Sequence, residues 1–108
     1  MSIFKLFGES KNNLEFKFKE PEDKAVFTCS HVIQDKEPVL YVVHDYEGDW
    51  QFLCGRDNHS EENPKIISIL QVTEIDQSLN DLFEMPKGIG AERKALGGKW
   101  TPFKIATE

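Results

Sequence analysis

The distribution of apolar residues along the chain predicts a small sheet protein with short helices. Leu14, Phe16 and Phe18 alternate with charged residues, a pattern typical of a strand with one buried face. Pro21 should end this strand, because proline has no N–H to donate to a neighbouring strand. Residues 25–32 predict a second, less regular strand.

The middle of the chain predicts an antiparallel hairpin. Residues 39–43 are continuously apolar and largely β-branched, as expected of a strand covered on both faces. An acidic, glycine-containing turn at 45–49 separates them from a returning strand at 50–54. This arrangement predicts pairing of the two strands with Val42 and Phe52 buried.

The next segment predicts two short helices. Ile66 and Ile67 are consistent with a short strand, after which Ser68 can cap a helix that runs to Glu74. Asp76 can cap a second helix over residues 77–83, in which apolar residues recur at three- and four-residue intervals.

The end of the chain predicts a second hairpin, with strands at 89–94 and 100–105. Strands, then helices, then strands indicate an α+β fold, here an antiparallel sheet with two short helices packed on one face. The length of 108 residues favours a single domain spanning residues 1–108, with residues 1–10 as a loosely ordered lead-in.

The charge narrows the range of partners. A net charge of −6 and a pI near 5.1 disfavour non-specific binding to nucleic acid or to anionic membranes, which requires basic residues. The charge is compatible with a basic protein partner, although charges of this size usually serve solubility. No apolar run approaches the ~20 residues of a membrane span, and the first residues do not resemble a signal peptide. We therefore expect a cytoplasmic protein.

Cysteine and histidine residues raise the possibility of a metal site. Cys29 and His31 would lie on one face of the second strand, whereas Cys54 and His59 follow the hairpin and His44 ends its first strand. Two cysteines and two histidines are a common zinc ligand set. Their spacing matches no common zinc template, however, and cysteine is often buried without a function. The sequence therefore predicts no metal and no cofactor.

No motif in the sequence predicts catalysis. A catalytic cysteine needs a nearby base and an activating environment, but Cys29 falls inside a predicted strand instead of at a helix N-terminus. The acidic turn at 45–49 lacks the spacing of a calcium-binding loop. Dinucleotide-binding, phosphate-binding, hydrolase and metalloprotease motifs are also lacking. We therefore expect a protein that is not an enzyme.

Acidic residues are concentrated around the first hairpin and after it. Residues 45–62 hold six carboxylates and one arginine, whereas the end of the chain is basic. A concentrated negative surface would attract a basic partner. Trp50 adjoins the acidic turn, where it is a partner anchor if exposed and a core residue if not; its place at a strand start favours the core. The candidate partner-binding residues are Asp45, Glu47, Asp49, Trp50, Asp57, Glu61 and Glu62.

The order of several motifs resembles that of a known family. The pattern W-x-F-x-x-G occurs at 50–55, D-x-S-L at 76–79 and P-x-G at 86–88, followed by Arg93 and Trp100. This order resembles a family of small bacterial domains of unknown function, some of whose relatives are classed as immunity proteins of polymorphic toxin systems.

The resemblance covers roughly residues 39–100, and the chain has Gln77 where the family often has proline. It implies a non-catalytic scaffold that covers the active site of a toxin. An acidic surface suits that role, because it both occludes a basic site and speeds association. Two alternatives stay open, namely a regulatory or housekeeping domain without a toxin partner, and a zinc or thiol enzyme using Cys29, His31, Cys54 and His59.

Overall fold

The computed structural model describes residues 15–55 and 64–105. Within these residues, six strands form one sheet. They are β1 (Ala25–Thr28), β2 (Tyr41–His44), β3 (Trp50–Leu53), β4 (Lys65–Ser68), β5 (Ile89–Glu92) and β6 (Thr101–Lys104). Three short helices accompany them in the same ranges: α1 (Ser30–Gln34), α2 (Ile69–Ile75) and a 3-10 helix (Gln77–Leu82). The protein is a small α+β domain, as the sequence predicts.

The sheet is mixed, although most of its pairings are antiparallel. The strand order is β4-β1-β3-β2-β5-β6, and the exception is the parallel pairing of β1 with β3. Parallel neighbours require a long connection, which α1 and β2 provide here. The predicted antiparallel sheet is therefore correct except at this pairing, and it carries a third helix that was not predicted.

The predicted hairpin is confirmed. Val42 pairs with Phe52 across β2 and β3, and both side chains are fully buried. Gly48 adopts a φ of +94° in the connecting turn, where glycine avoids the steric cost that other residues incur. The closing hairpin of β5 and β6 is also confirmed.

The predicted strand around Phe16 and Phe18 is wrong. Residues 15–20 belong to no strand, and Leu14 lies outside the described residues. The N–H of Lys17 donates instead to Asn80 Oδ1 at 2.8 Å, so side chains of the 3-10 helix replace a neighbouring strand. Phe18 is nevertheless buried, with its ring edge against Trp50 at a centroid distance of 5.0 Å.

The predicted strand at 25–32 is correct only as far as Thr28. Cys29 keeps an extended backbone (φ −121°, ψ 164°) and serves as the N-cap position of α1. Val32 of this helix is buried in the core. The apolar residues after Thr28 therefore contribute to the core from a helix.

One face of the sheet carries the core. Thr28, Phe52, Val42 and Ala91 are successive register partners across four strands, and each is at most 1% exposed. The helices cover this face with Ile69, Val72 and Leu79, which belong to the same buried cluster. No helix among the described residues is long and apolar enough to cross a membrane.

Both predicted helix caps are confirmed, although the second helix is of the 3-10 type. Ser68 Oγ accepts the N–H of Gln71 at 3.0 Å, and Gln71 Oε1 accepts the N–H of Ser68 at 2.9 Å, which is a capping box. Asp76 Oδ1 accepts the N–H of Ser78 at 3.0 Å.

The first cap provides a test of the fold. Replacing Ser68 with alanine should lower the free energy of unfolding by about 1 kcal/mol, because an N–H at the start of α2 loses its acceptor. Urea denaturation followed by circular dichroism measures this change. The same result for Ser68→Ala and for Glu74→Ala, an exposed residue of the same helix, would contradict the capping assignment.

Candidate functional site

The acidic turn is partly a structural element. Asp45 Oδ1 accepts the backbone N–H groups of Glu47 and Asp49 at 2.9 and 3.0 Å, so this carboxylate holds the turn in shape. Glu47 is exposed. The carboxylates of the turn are therefore not equivalent, and a change at Asp45 alters the fold as well as the surface.

Several lysine residues lie close to the acidic turn. Lys24 Nζ is 3.8 Å from Asp49 Oδ1, and the side chain of Lys87 lies against Gly48. One open groove joins the turn to both acidic and basic side chains, namely Lys17, Lys19, Lys24, Lys87, Glu20, Glu47 and Glu84. The part of the predicted acidic surface that the structure describes is thus a surface of mixed charge.

Of the remaining candidates for partner binding, the structure describes Trp50 but not the three carboxylates that follow it. Trp50 is 1% exposed, and its ring stacks on His44 at a centroid distance of 4.0 Å. Its Nε1–H donates to Glu20 Oε2 at 2.8 Å, so Trp50 is a core residue with almost no surface to offer a partner. Asp57, Glu61 and Glu62 lie outside the described residues.

An apolar groove that the sequence did not predict lies between α1, the end of α2 and the connection from β5 to β6. Its volume is about 400 Å³. Ile33, Ile75 and Leu96 line it and are 38, 50 and 64% exposed. The other lining residues are Val32, Lys36, Glu37, Pro38, Val39 and Asp76. Ile33 lies one residue beyond the predicted second strand and Leu96 in a predicted turn, so no periodic pattern indicated that they meet.

The walls of this groove are fixed by a buried ion pair. Arg93 Nη2 donates to Asp76 Oδ2 at 2.6 Å, and Arg93 Nε donates to the carbonyl of Val39 at 3.1 Å. The guanidinium lies over the ring of Trp100, 4.2 Å from its centroid. Arg93 therefore joins two lining residues, Val39 and Asp76, to the end of β5.

A second cluster brings together three of the four residues that the sequence suggested as metal ligands. The ligand atoms of Cys29, His31 and Cys54 all lie within 4.8 Å of one another, and Cys54 Sγ is 3.5 Å from His31 Nδ1. Both cysteines are buried, and neither is part of a disulfide. His59 lies outside the described residues.

The parallel pairing explains why these residues meet. β1 and β3 run in the same direction, so Cys29 and Cys54, each directly after its strand, lie at the same end of the sheet. The first turn of α1 then adds His31. The predicted placement of Cys29 and His31 on one face of a strand is wrong. His44 does not join them, since its Nδ1 is 2.7 Å from the carbonyl oxygen of Met85.

Comparisons with protein-family models, with curated proteins and with solved structures find no match to the chain. The resemblance to immunity proteins therefore stays a prediction from the sequence. The apolar groove and the cluster of Cys29, His31 and Cys54 are the features of the described residues that bear on function.

Proposed function

We propose that this chain is a non-catalytic protein-binding domain and that it binds its partner through the apolar groove. The observation that carries the proposal is the grouping of Ile33, Ile75 and Leu96, whose large apolar side chains are all exposed at one groove. Single exposed apolar residues are ordinary, but contiguous ones are typical of interaction sites. Covering them removes apolar surface from water, which favours association.

The chemistry of the groove supports a protein segment over a small polar molecule. Pockets for small molecules combine apolar walls with a few convergent polar groups. Here the lining is mainly aliphatic, and the carboxylate of Asp76 is already paired with Arg93. The groove volume of about 400 Å³ does not separate the two kinds of ligand, because small-molecule pockets have similar volumes. The aliphatic lining is what favours a protein segment.

Charge favours a basic partner. The exposed residue Glu74 lines a shallow pocket that shares Ile33 and Ile75 with the groove, and the whole chain has a net charge of −6. Such a charge speeds the encounter with a basic protein. Together with the resemblance noted in the sequence, this supports an immunity protein that neutralises a basic toxin by covering it.

The test compares groove variants with a matched variant elsewhere. Leu96→Asp and Ile75→Asp should weaken binding of the partner about 10–100-fold, because burying a leucine or isoleucine contributes about 1.5–3 kcal/mol. Ile66→Asp is the control, since Ile66 is also exposed but pairs with Phe27, which lies on the sheet face opposite the core. The partner is first purified from the source cell on the wild-type protein, and each affinity is then measured with both proteins pure.

An interface at the acidic turn, instead of at the groove, would give a different result. If the groove variants bind as tightly as the wild type while Glu47→Lys abolishes binding, the interface lies at the turn and the groove proposal is wrong. Thermal unfolding of each variant confirms that the fold is intact. Substitutions at these exposed positions should change stability by only about 0.5 kcal/mol.

A further inference from the structure

We infer that Cys29, His31 and Cys54 form a binding site for a thiophilic metal ion, and that the ion is Zn²⁺. Thiolates and imidazole are the ligands that zinc prefers in proteins. The inference does not rest on the proposed protein-binding function, because the groove and the cluster share no lining residue.

The distances between ligand atoms agree with tetrahedral zinc. Zn–S bonds of about 2.3 Å and Zn–N bonds of about 2.0 Å at a tetrahedral angle place sulfur about 3.5 Å from nitrogen. Cys54 Sγ and His31 Nδ1 are 3.5 Å apart. Two sulfurs on the same ion would lie about 3.8 Å apart, and Cys29 Sγ lies within 4.8 Å of the other ligand atoms. These separations are therefore close to those of three ligands on one ion.

The surrounding structure holds the ligands in place. Cys29 and Cys54 follow paired strands, which fixes their backbones, and both are buried. His31 lies on α1, a helix of five residues, which is too short to be stable by itself. A metal bond to His31 would tie this helix to the sheet. Among the described residues these three are the ligands, so the fourth tetrahedral position is open to a further ligand.

Neither a disulfide nor a hydrogen bond between thiol and imidazole explains why all three residues lie together. A disulfide between Cys29 and Cys54 would leave His31 without a part in the cluster. The hydrogen bond between Cys54 Sγ and His31 Nδ1 does not include Cys29. Binding of Zn²⁺ uses all three residues. The two thiols lose their protons as they coordinate the ion, so two protons are released for each Zn²⁺ bound.

The experiment uses the full chain, reduced and freed of metal with a chelator. Titration with Co²⁺ should produce sulfur-to-cobalt charge-transfer absorption and the intense visible bands of a tetrahedral ion, saturating at one equivalent. Zn²⁺ should then displace Co²⁺, whereas Mg²⁺, which prefers oxygen ligands, should not. Thermal unfolding should shift to higher temperature with Zn²⁺, because an ion that binds only the folded state stabilises it.

Single substitutions identify the ligands. We expect Zn²⁺ affinity to fall about 100-fold or more in each of Cys29→Ser, Cys54→Ser and His31→Ala. Removing a residue that only hydrogen-bonds to a metal ligand already lowers metal affinity about 10–100-fold, and removing the ligand itself should lower it further. Asp35→Asn is the control, because Asp35 is exposed beside α1 and outside the cluster. The Asp35→Asn variant should bind Zn²⁺ as tightly as the wild type. Circular dichroism shows whether each variant folds. Because His31 is only half-buried, His31→Ala should disturb the fold less than the substitutions of the buried cysteines.

The inference is overturned if the reduced wild-type protein shows no charge-transfer band with Co²⁺. It is also overturned if a folded His31→Ala variant binds Zn²⁺ as tightly as the wild type. Recovery of a Cys29–Cys54 disulfide together with absence of Zn²⁺ binding by the reduced chain would assign the cluster to thiol chemistry instead.

Discussion

Replacing Asp76 with alanine is expected to lower the free energy of unfolding by about 3–5 kcal/mol, because the change leaves the guanidinium of Arg93 buried without its counter-charge. The two side chains are only 11 and 1% exposed, and Arg93 Nη2 lies 2.6 Å from Asp76 Oδ2. Asp76 also caps the 3-10 helix through the N–H of Ser78. Few single substitutions in this protein should cost more.

A double variant separates the ion pair from the cap. Arg93→Met removes the buried charge, so Asp76→Ala should cost less in that background than in the wild type, and the two costs should not add. Asp81→Ala is the control, since Asp81 is exposed in the same helix and its loss should cost at most about 0.5 kcal/mol. Urea denaturation gives all four values. Equal costs for Asp76→Ala and Asp81→Ala would show that the pair does not stabilise the fold.

Replacing Trp50 with alanine should cost a similar amount, about 3–5 kcal/mol, because it empties the largest side-chain position of the core. The indole stacks on His44 and, at a centroid distance of 5.7 Å, on Phe52. Its loss also removes the hydrogen bond to Glu20. The denaturant midpoint of the variant should fall accordingly.

Two further substitutions distinguish a core residue from a partner anchor at this position. Trp50→Phe keeps an aromatic ring in the stack, so it should fold and bind the partner as the wild type does. Leu96→Ala should show the reverse, with nearly unchanged stability and weaker binding. A folded Trp50→Phe variant that fails to bind the partner would show that Trp50 is an interface residue.

Features that depend on neighbouring residues could be predicted from the sequence. The hairpin of β2 and β3 follows from two apolar runs joined by a short turn with a glycine. The caps at Ser68 and Asp76 follow from a side-chain oxygen placed two or three residues before the N–H that it accepts. In each case the determining contacts lie within a few residues along the chain, so one sequence contains them.

Features that depend on distant contacts could not be predicted. Alternation around Phe18 reports that one side of the segment is buried, but it does not report what accepts the backbone N–H groups. Here the acceptors are Gln77 and Asn80, more than 60 residues away in the chain. Such partners leave no periodic signal.

The irregular linear spacing of Cys29, His31 and Cys54, together with the frequent burial of cysteine without a function, predicts no metal from the sequence. Linear spacing is informative when ligands lie on one local motif, as in zinc fingers. Here the ligands follow two strands that pair in parallel, and only that pairing brings them together. The apolar groove escaped prediction for the same reason, since Ile33, Ile75 and Leu96 come from three separate parts of the chain.

The position of β1 between β3 and β4 has a consequence for the order of folding. Both neighbours of β1 in the sheet come later in the chain, whereas β2 pairs with β3, the strand directly after it. Closing a long loop costs more entropy than closing a short hairpin, and pairings between distant segments form more slowly. A chain leaving the ribosome therefore exposes β1 until β3 and β4 have been synthesised. Cys29, which directly follows β1, is therefore made before either strand that flanks β1 in the sheet.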